Sequence, residues 1–269
     1  GDDTYDDQTF TITVLSVNDE PSFDYTDVVT VDEDSDPYEG SWAFDISIGP
    51  ENENDQTPSF AIISNDHESY FSSGPSISSS GVLTFTPAGD QHGDAIIEVR
   101  LTDDGGTLNE GDDTYDDQTF TITIDPIADT PNITDAATDE DVESSSGLII
   151  TRNAVDGNEV SHFKITDITN GTLSNSSQAI INNNAFITFA EGNAGLRFDP
   201  DDDYFGDGFV TIQASVCGSE ECLGGEEVTA TITIDPENDG PHEADAGDDI
   251  YDILPGLENS MPIIISDVS

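Results

Sequence analysis

Short runs of alternating apolar and polar residues recur along the chain and are separated by clusters of Gly, Pro and Asp. Three examples are GVLTFTP at residues 81–87, AIIEVRL at residues 95–101 and QTFTITI at residues 118–124. A period of two is typical of strands that bury one face, and turn residues about every 8 to 12 positions are typical of an antiparallel sandwich. No helical periodicity of useful length accompanies the runs. The pattern predicts an all-β fold.

The pattern also returns at a fixed interval. The segment GDDTYDDQTFTIT at residues 1–13 recurs letter for letter at residues 111–123. Asp19, Asp129 and Asp239 are spaced by 110 residues (129 − 19 = 110; 239 − 129 = 110), and each stands two residues before a proline. A period of this length indicates tandem units, each of the size of one independently packed domain.

The period divides the chain into four segments. We expect residues 1–18 to be the last strand of an upstream repeat, and residues 19–128 and 129–238 to be two complete repeats. Residues 239–269 are expected to begin a further β-sandwich unit, whose opening HEADAGDDIYDILPG resembles that of a polycystin-type (PKD) domain. Units of such an array are expected to be stacked and exposed rather than to catalyse a reaction.

The two cysteines lie close together in the second repeat. Cys217 and Cys222 fall in the hairpin connection that carries TDDGG in the first repeat. No second cysteine or histidine pair accompanies them, which argues against a zinc site at this loop. The spacing favours a local disulfide at the base of the hairpin over free thiols, and a disulfide suits an oxidising extracellular setting.

The charge of the chain is extremely one-sided. There are 59 acidic residues and 4 basic ones, a formal net charge of −55. This surface repels phosphate backbones and anionic lipid, so we expect neither nucleic acid as a partner nor direct insertion in a membrane. The repulsion also opposes a compact state unless cations neutralise it. Hard divalent cations prefer the oxygen ligands that are abundant here, whereas ligands for soft metals are almost absent.

The seams between repeats carry a recurring motif. They are VNDEP at residues 17–21, IADTP at residues 127–131 and ENDGP at residues 237–241. Together with GVLTFTPA, LTDDGGT, TFTITV and the VDEDS turn, they resemble the cadherin-like tandem repeats of large bacterial surface adhesins, over roughly residues 1–241. The resemblance implies secreted or cell-surface β-sandwich extender modules, joined end to end with Ca²⁺ at the junctions. The surplus negative charge favours a saline habitat, that of a marine or halophilic bacterium.

A physical argument leads to the same sites. In a seven-stranded Greek-key sandwich the first strand starts at one pole and the last strand ends at the other, so units stack head to tail. Loops at the lower pole of one unit then face loops at the upper pole of the next, with the linker between them. Calcium requires about six to eight oxygen ligands, more than one short loop supplies. Three converging segments meet that requirement.

The expected calcium ligands fall into three groups. The lower-pole loops bring Asp32, Glu33, Asp34, Asp90 and Asp94 in the first repeat and Asp139, Glu140, Asp141, Asp201, Asp203 and Asp207 in the second. The upper-pole loops bring Glu51, Glu53 and Asp55, and Asp156, Asn158 and Glu159. The linkers bring Asn18, Asp19, Asp129, Asn238 and Asp239. Ala128 stands where the other seams have asparagine, so the number of ions is expected to differ between seams.

Other chemistry is less well supported by the sequence. The histidines are scattered among different loops and strands, and we expect them to be surface or hydrogen-bonded residues rather than catalytic ones: His67, His92, His162 and His242. A pair of carboxylates for glycoside cleavage cannot be singled out among so many acids. We therefore expect a protein that is not an enzyme.

The main functional hypothesis is an extender region of an adhesin, rigidified by Ca²⁺ at its junctions and serving cell adhesion or biofilm formation. Its partners are the neighbouring repeats of the same chain. One alternative is a module that binds surface glycans through aromatic residues, with Trp42 expected in the core: Trp42, Tyr70, Phe71, Tyr115, Tyr204 and Phe205. The other is a filament in which like chains exchange strands.

Overall fold

The computed structural model describes residue 1 and residues 7–237 of the chain. Alternation produces the expected strands: along Gly93–Thr102, for example, Ala95, Ile97, Val99 and Leu101 are buried and the residues between them face outward. The all-β fold is confirmed. The further unit expected at residues 239–269 lies outside the described residues.

The first repeat contains nine strands. In chain order they are β1 Ser22–Tyr25, β2 Val28–Asp32, β3 Tyr38–Ser41, β4 Ala43–Ser47, β5 Ser59–Asn65, β6 Phe71–Ile77, β7 Val82–Pro87, β8 Gly93–Thr102 and β9 Gln118–Asp125. One sheet has the order β2-β9-β8-β5, a second has the order β3-β7-β6, and β1 pairs with β4. All pairings are antiparallel except that of β2 with β9, which is parallel.

The run FDYTDVVTV, which alternation predicts as one strand, is divided between two sheets. The amide of Thr26 donates to the carbonyl of Trp42 beside β4, whereas the carbonyl of Asp27 accepts from Thr121 in β9. The chain therefore crosses from one sheet to the other between these two residues. The crossing places the end of β2 next to the end of β9, where the linker to the second repeat begins.

Strand β6 is missing from the sequence prediction. Its residues FSSGPSI include Gly74 and Pro75 and alternate poorly. The strand lies at the edge of its three-stranded sheet, where a proline costs no ladder hydrogen bond.

The second repeat follows the same plan with shorter strands. They are β10 Asn132–Ile133, β11 Ala136–Asp139, β12 Ile150–Thr151, β13 His162–Thr169, β14 Gly171–Ser174, β15 Ile180–Ile181, β16 Phe186–Thr188, β17 Arg197–Pro200, β18 Gly206–Ser215 and β19 Leu223–Asp235. The sheets have the orders β11-β19-β18-β13-β16 and β15-β14-β17, and β10 pairs with β12. Strand β11 runs parallel to β19, as β2 does to β9.

One short helix, α1 at Phe189–Asn193, interrupts the second repeat, although the sequence shows no helical periodicity. A capping box begins it: the side chain of Thr188 accepts from the amide of Glu191, and the Glu191 carboxylate accepts from the amide of Thr188. The signal for this turn is the T-x-x-E spacing. Among the described residues, no helix has the length and apolar character needed to cross a bilayer.

Each repeat has its own hydrophobic core. The buried cluster of the first extends from Phe23 to Ile124, and that of the second from Ala128 to Ile234. Trp42 is fully buried at the centre of the first, as alternation predicts, and its Nε1 donates to the carbonyl of Thr26 at 2.9 Å. Within residues 7–237 the two clusters share no residue, and the two repeats meet through the linker and the loops at their poles.

Candidate metal centre

The turn after β2 brings two acids to the lower pole of the first repeat. The amide of Glu33 donates to the carbonyl of Asp125 and extends the parallel pairing with β9. The Oε1 atom of Glu33 in turn accepts from the amide of Ile127 at 2.9 Å, which anchors the linker to the turn. Asp34 follows with a positive φ of 58°, a conformation that aspartate tolerates well.

The loop after β7 lies against this turn. The amide of Asp90 donates to Oδ1 of Asp34 at 3.2 Å, and Asp90 also has a positive φ, 55°. His92 follows two residues later in the same loop. Both loops therefore direct their side chains toward the linker and the next repeat.

A loop of the second repeat completes the junction from the other side. The amide of Asp129 in the linker donates to Oδ1 of Asp156 at 2.8 Å. The loop is held by Arg152, whose guanidinium donates to the carbonyls of Val160 and Gly157 and to Oδ1 of Asn158. The amide oxygen of Asn158, a predicted ligand, is thus engaged by Arg152 rather than directed to the junction.

Two groups of ligand atoms result. Carboxylate oxygens of Asp34, Asp90 and Asp129 lie within 4.8 Å of one another, and so do ligand atoms of Glu33, His92 and Glu159. The first group joins the turn after β2 and the loop after β7 to the linker. The second group joins the same turn and loop to a loop of the second repeat. The convergence of lower-pole loop, linker and upper-pole loop that the sequence predicts is therefore present at this seam.

Three buried carboxylate oxygens at the junction have no hydrogen-bond partner among the described residues, and one of them is Oε2 of Glu159. Glu33 is 3% exposed and Asp156 is 2% exposed, and their Oε2 and Oδ2 atoms are unpaired. A buried carboxylate oxygen without a partner is destabilising by several kcal/mol in order of magnitude unless a cation balances it. The donor set fits a bound cation for this reason.

The acids at the junction repel one another. The pKa of Glu159 is raised to about 7, first by burial and then by the negative charge of Glu33, while His92 acts in the opposite direction. The pKa of Asp129 is also raised, first by burial and then by Asp156 and the acids of the first repeat. These raised pKa values indicate that the negative charges of the junction are not fully balanced by positive charges of neighbouring side chains.

No lysine or arginine side chain of this protein neutralises that charge. Arg100 pairs with Asp117, Lys164 with Glu220 and Arg197 with Glu143. Arg152 binds backbone carbonyls and an amide instead. Because these are all the lysines and arginines of the sequence, no lysine or arginine is left to balance the charge of the junction.

The upper pole of the first repeat has a related arrangement. The amide of Asp19 donates to Glu53 at 3.2 Å, as that of Asp129 does to Asp156. The amide side chain of Asn18 is already hydrogen-bonded, because it donates to Asp103 and accepts from Gln56. Asp103, in the TDDGG segment, is buried, and its Oδ2 has no hydrogen-bond partner among the described residues.

The lower pole of the second repeat reproduces that of the first. Oε1 of Glu140 accepts from the amide of Glu237 at 2.7 Å, and Oδ1 of Asp141 accepts from the amide of Asp203 at 3.0 Å. Asp141 and Asp203 have positive φ, as Asp34 and Asp90 do. The predicted linker ligands Asn238 and Asp239 lie outside the described residues.

Other predicted ligands lie apart from the two groups. Most are exposed: Asp32, Glu51, Asp55, Asp94, Asp139, Asp201 and Asp207. Asp94 accepts a hydrogen bond from the Thr123 hydroxyl on the neighbouring strand. His92 was expected to be a surface or hydrogen-bonded residue, but among the described residues it is part of the junction. The available signal was its position two residues after Asp90, in a loop already assigned to the lower pole.

The stapled hairpin of the second repeat covers the linker. A disulfide joins Cys217 and Cys222 between β18 and β19. Immediately after it, the backbone of Gly224 lies so close to Ala128 that a β-carbon would collide with the Ala128 carbonyl, and Gly225 lies equally close to Thr130. Ala128 is therefore buried under the hairpin at the seam that lacks asparagine.

The aromatic residues proposed for glycan binding do not form an exposed set. Trp42 and Phe71 are both buried in the first core, whereas Phe205 is 63% exposed. Phe71 is thus corrected from a candidate contact residue to a core residue, because it starts edge strand β6 with its ring packed against Phe85.

No protein-family model matches the sequence, and no curated protein does. Among solved structures, the chain is similar to the human desmocollin-1 ectodomain, with 17% identity, a TM-score of 0.39, and coverage of 82% of this chain and 42% of that one. It is also similar to human protocadherin-24 EC1-2, with 11% identity, a TM-score of 0.43, and coverage of 82% and 100%. A third similar structure is mouse cadherin-23 EC22-24, with 13% identity, a TM-score of 0.36, and coverage of 82% of this chain and 65% of that one.

This chain therefore spans less than half of the desmocollin ectodomain. All three TM-scores lie below 0.5 and all three identities below 25%. These similarities accordingly decide nothing about metals or partners, which have to be argued from the residues of the junction.

Proposed function

We propose that this chain is a non-enzymatic spacer region of a secreted or cell-surface adhesin, with sandwich units at residues 19–128 and 129–238 that Ca²⁺ locks end to end. One observation carries the proposal. Acidic side chains from two independently packed units and their linker converge at one junction, and three of their buried oxygens lack a partner among the described residues. A solvated acidic surface has no reason to bury charge in this way.

Asp34, Asp90 and Asp129 would hold the ion, with Asp156 beside them. Ca²⁺ accepts carboxylate and backbone oxygens in flexible geometry, which suits a site assembled from three segments. When bound, it converts repulsion among these carboxylates into attraction. The residues themselves determine the direction of the linker, because Glu33 anchors Ile127 and Asp156 anchors Asp129 through their other oxygens.

The outer poles support an extended array. Asp19 with Glu53, and Glu140 with Glu237, repeat the anchoring contacts of the central seam. We infer that further units attach at both poles in the same way, although residues 7–18 of this chain form no strand by themselves. A rod of such units would hold a binding domain away from a cell surface, as adhesion or biofilm formation by a bacterium in saline water requires.

The test is a calcium titration of the chain followed by calorimetry and small-angle X-ray scattering. In the original protein, Ca²⁺ binding should lengthen the maximum dimension and narrow the distribution of shapes. Asp129→Ala should abolish both effects at the central junction. Asp94→Ala is the matched control, since Asp94 lies in β8 just after the loop of Asp90 and accepts a hydrogen bond from the Thr123 hydroxyl instead. A shape that is equally bent with Ca²⁺ and with chelator would refute the proposal.

A further inference from the structure

The junction contains one nitrogen ligand among its oxygens, and this ligand changes the class of cation that the junction can take. We propose that Glu33, His92 and Glu159 form a separate site for a borderline transition-metal ion such as Zn²⁺, beside the all-oxygen group assigned to Ca²⁺. The proposal rests on the proposed end-to-end junction, although it uses different side chains from the calcium group.

The ligand chemistry distinguishes the two groups. Ca²⁺ takes oxygen ligands, whereas an imidazole nitrogen together with carboxylates suits Zn²⁺ and its first-row neighbours. Asp34, Asp90 and Asp129 offer only oxygen. Glu33, His92 and Glu159 offer two carboxylates and one imidazole, the number of protein ligands that leaves a position for water on a tetrahedral ion.

The distances also fit a small ion. Nδ1 of His92 lies 2.7 Å from Oε2 of Glu159 and 3.6 Å from Oε2 of Glu33. Ligand atoms about 2.0–2.2 Å from a tetrahedral Zn²⁺ ion lie about 3.3–3.6 Å from one another. One of the two measured separations already falls in this range, and the other requires the rotation of a single side chain.

The two carboxylates are buried and face the histidine without being satisfied by it. The side chains of Glu33 and Glu159 are 2% and 7% exposed, and the Oε2 atom of each has no hydrogen-bond partner among the described residues. The close approach of His92 to Glu159 does not have the alignment of a hydrogen bond. Two buried oxygens directed at one ring nitrogen are the arrangement that a shared ion would satisfy.

Among the poles that the structure describes, only the central junction has this combination of ligands. The loops AGDQHGD and DDDYFGD correspond at residues 88–94 and 201–207, so Phe205 occupies the position of His92 in the second repeat. The neighbouring contacts are otherwise equivalent, since Asp90 bonds to Asp34 and Asp203 to Asp141. A nitrogen ligand is therefore a specific feature of the central seam. The ring of His92, 42% exposed, leaves a path for the ion from solvent.

The test uses the full chain saturated with Ca²⁺ and titrated with Co²⁺, which reports its coordination through visible d–d absorption, followed by displacement with Zn²⁺. One Co²⁺ per chain should bind in a four- or five-coordinate environment. His92→Ala and His92→Glu should each weaken that binding at least about 100-fold, since even residues supporting a ligand are worth about 10- to 100-fold. His67→Ala is the matched control: His67 lies 2.9 Å from Asp66, but both side chains are largely exposed.

A measurement on the unaltered protein accompanies the variants, so misfolding cannot obscure the result. The ¹⁵N resonance of Nδ1 of His92 should shift with Zn²⁺ in slow exchange and should not respond to Ca²⁺. Absence of Zn²⁺ binding, or binding that both His92 variants retain, overturns this proposal. Straightening by Ca²⁺ without Zn²⁺ binding refutes this inference alone, whereas Zn²⁺ binding without straightening refutes only the proposed spacer mechanism.

Discussion

The backbone amide of Asp129 donates a hydrogen bond of 2.8 Å to Oδ1 of Asp156, whereas Oδ2 of Asp156 is buried and has no partner within residues 7–237. Oδ1 of Asp156 thus fixes the position of the linker, and Oδ2 is available to bind a cation. The equivalent contact in the first repeat joins Asp19 to Glu53. The linker and the loop of each unit therefore form one assembly before any metal binds.

Because the two carboxylate oxygens of Asp156 have different roles, Asp156→Asn is expected to have opposite effects on stability in the presence and in the absence of metal. The amide keeps the acceptor for Asp129 and removes a buried negative charge. In chelator, the second repeat should become more stable by roughly 1 kcal/mol or more, because an unpaired buried charge is removed. In Ca²⁺, the variant should lose part of the calcium-induced rise in melting temperature. Thermal unfolding with and without chelator measures both, and a destabilisation of equal size in the two media would contradict the interpretation.

The raised pKa of Glu159, about 7 instead of 4.5, predicts a dependence of the metal-free junction on pH. Because the folded form holds the proton more tightly than the unfolded form, the stabilisation is fully present below pH 4.5 and is lost as the pH rises from 4.5 through about 7. The contribution is at most about 3 kcal/mol. Unfolding of the chelated protein across this range should show the decline, and Glu159→Gln should flatten it. A stability that rises between pH 4.5 and 7 and is insensitive to that substitution would contradict the prediction.

Arg152 supports the acidic loop without touching its carboxylates. Its guanidinium binds the carbonyls of Gly157 and Val160 and lies 3.7 Å from the ring centre of Phe189. Arg152→Met should loosen the loop and lower the calcium affinity of the junction by roughly 10-fold. Calorimetry measures the affinity. Arg197→Met is the control of equal charge, since Arg197 pairs with Glu143 away from the junction; an equal loss in both variants would mean that only overall charge matters.

The disulfide between Cys217 and Cys222 is expected to protect the linker. Replacing both cysteines by serine should destabilise the second repeat by about 2 kcal/mol, as expected for a short closed loop. Amide exchange at Ala128 and Thr130 should accelerate, because Gly224 and Gly225 cover these residues. Hydrogen-exchange mass spectrometry measures this protection. The linker before the first repeat is an internal control, since Asn18 is held there by Asp103 and Gln56, and its exchange should not change.

Much of the junction was predictable because the number and order of the strands define which loops lie at which pole. The sequence placed Glu33, Asp34 and Asp90 at one end of the first repeat and Asp156 at the facing end of the second. That order follows from strand count alone. Burial is different: Asp32 and Glu33 are neighbours in the same acidic turn, yet only Glu33 is turned inward, because its amide continues the pairing with β9.

Alternation, turn residues and the exact repeat determined by themselves that the chain is a tandem array of all-β units with acidic loops, because side-chain period and chain length are local properties. The tertiary structure alone decided which of those acids meet. It divided FDYTDVVTV between two sheets, brought His92 to Glu159 across the seam, and assigned Arg152 to a loop rather than to a carboxylate. Such contacts depend on distances between segments far apart in sequence, and no local pattern encodes them.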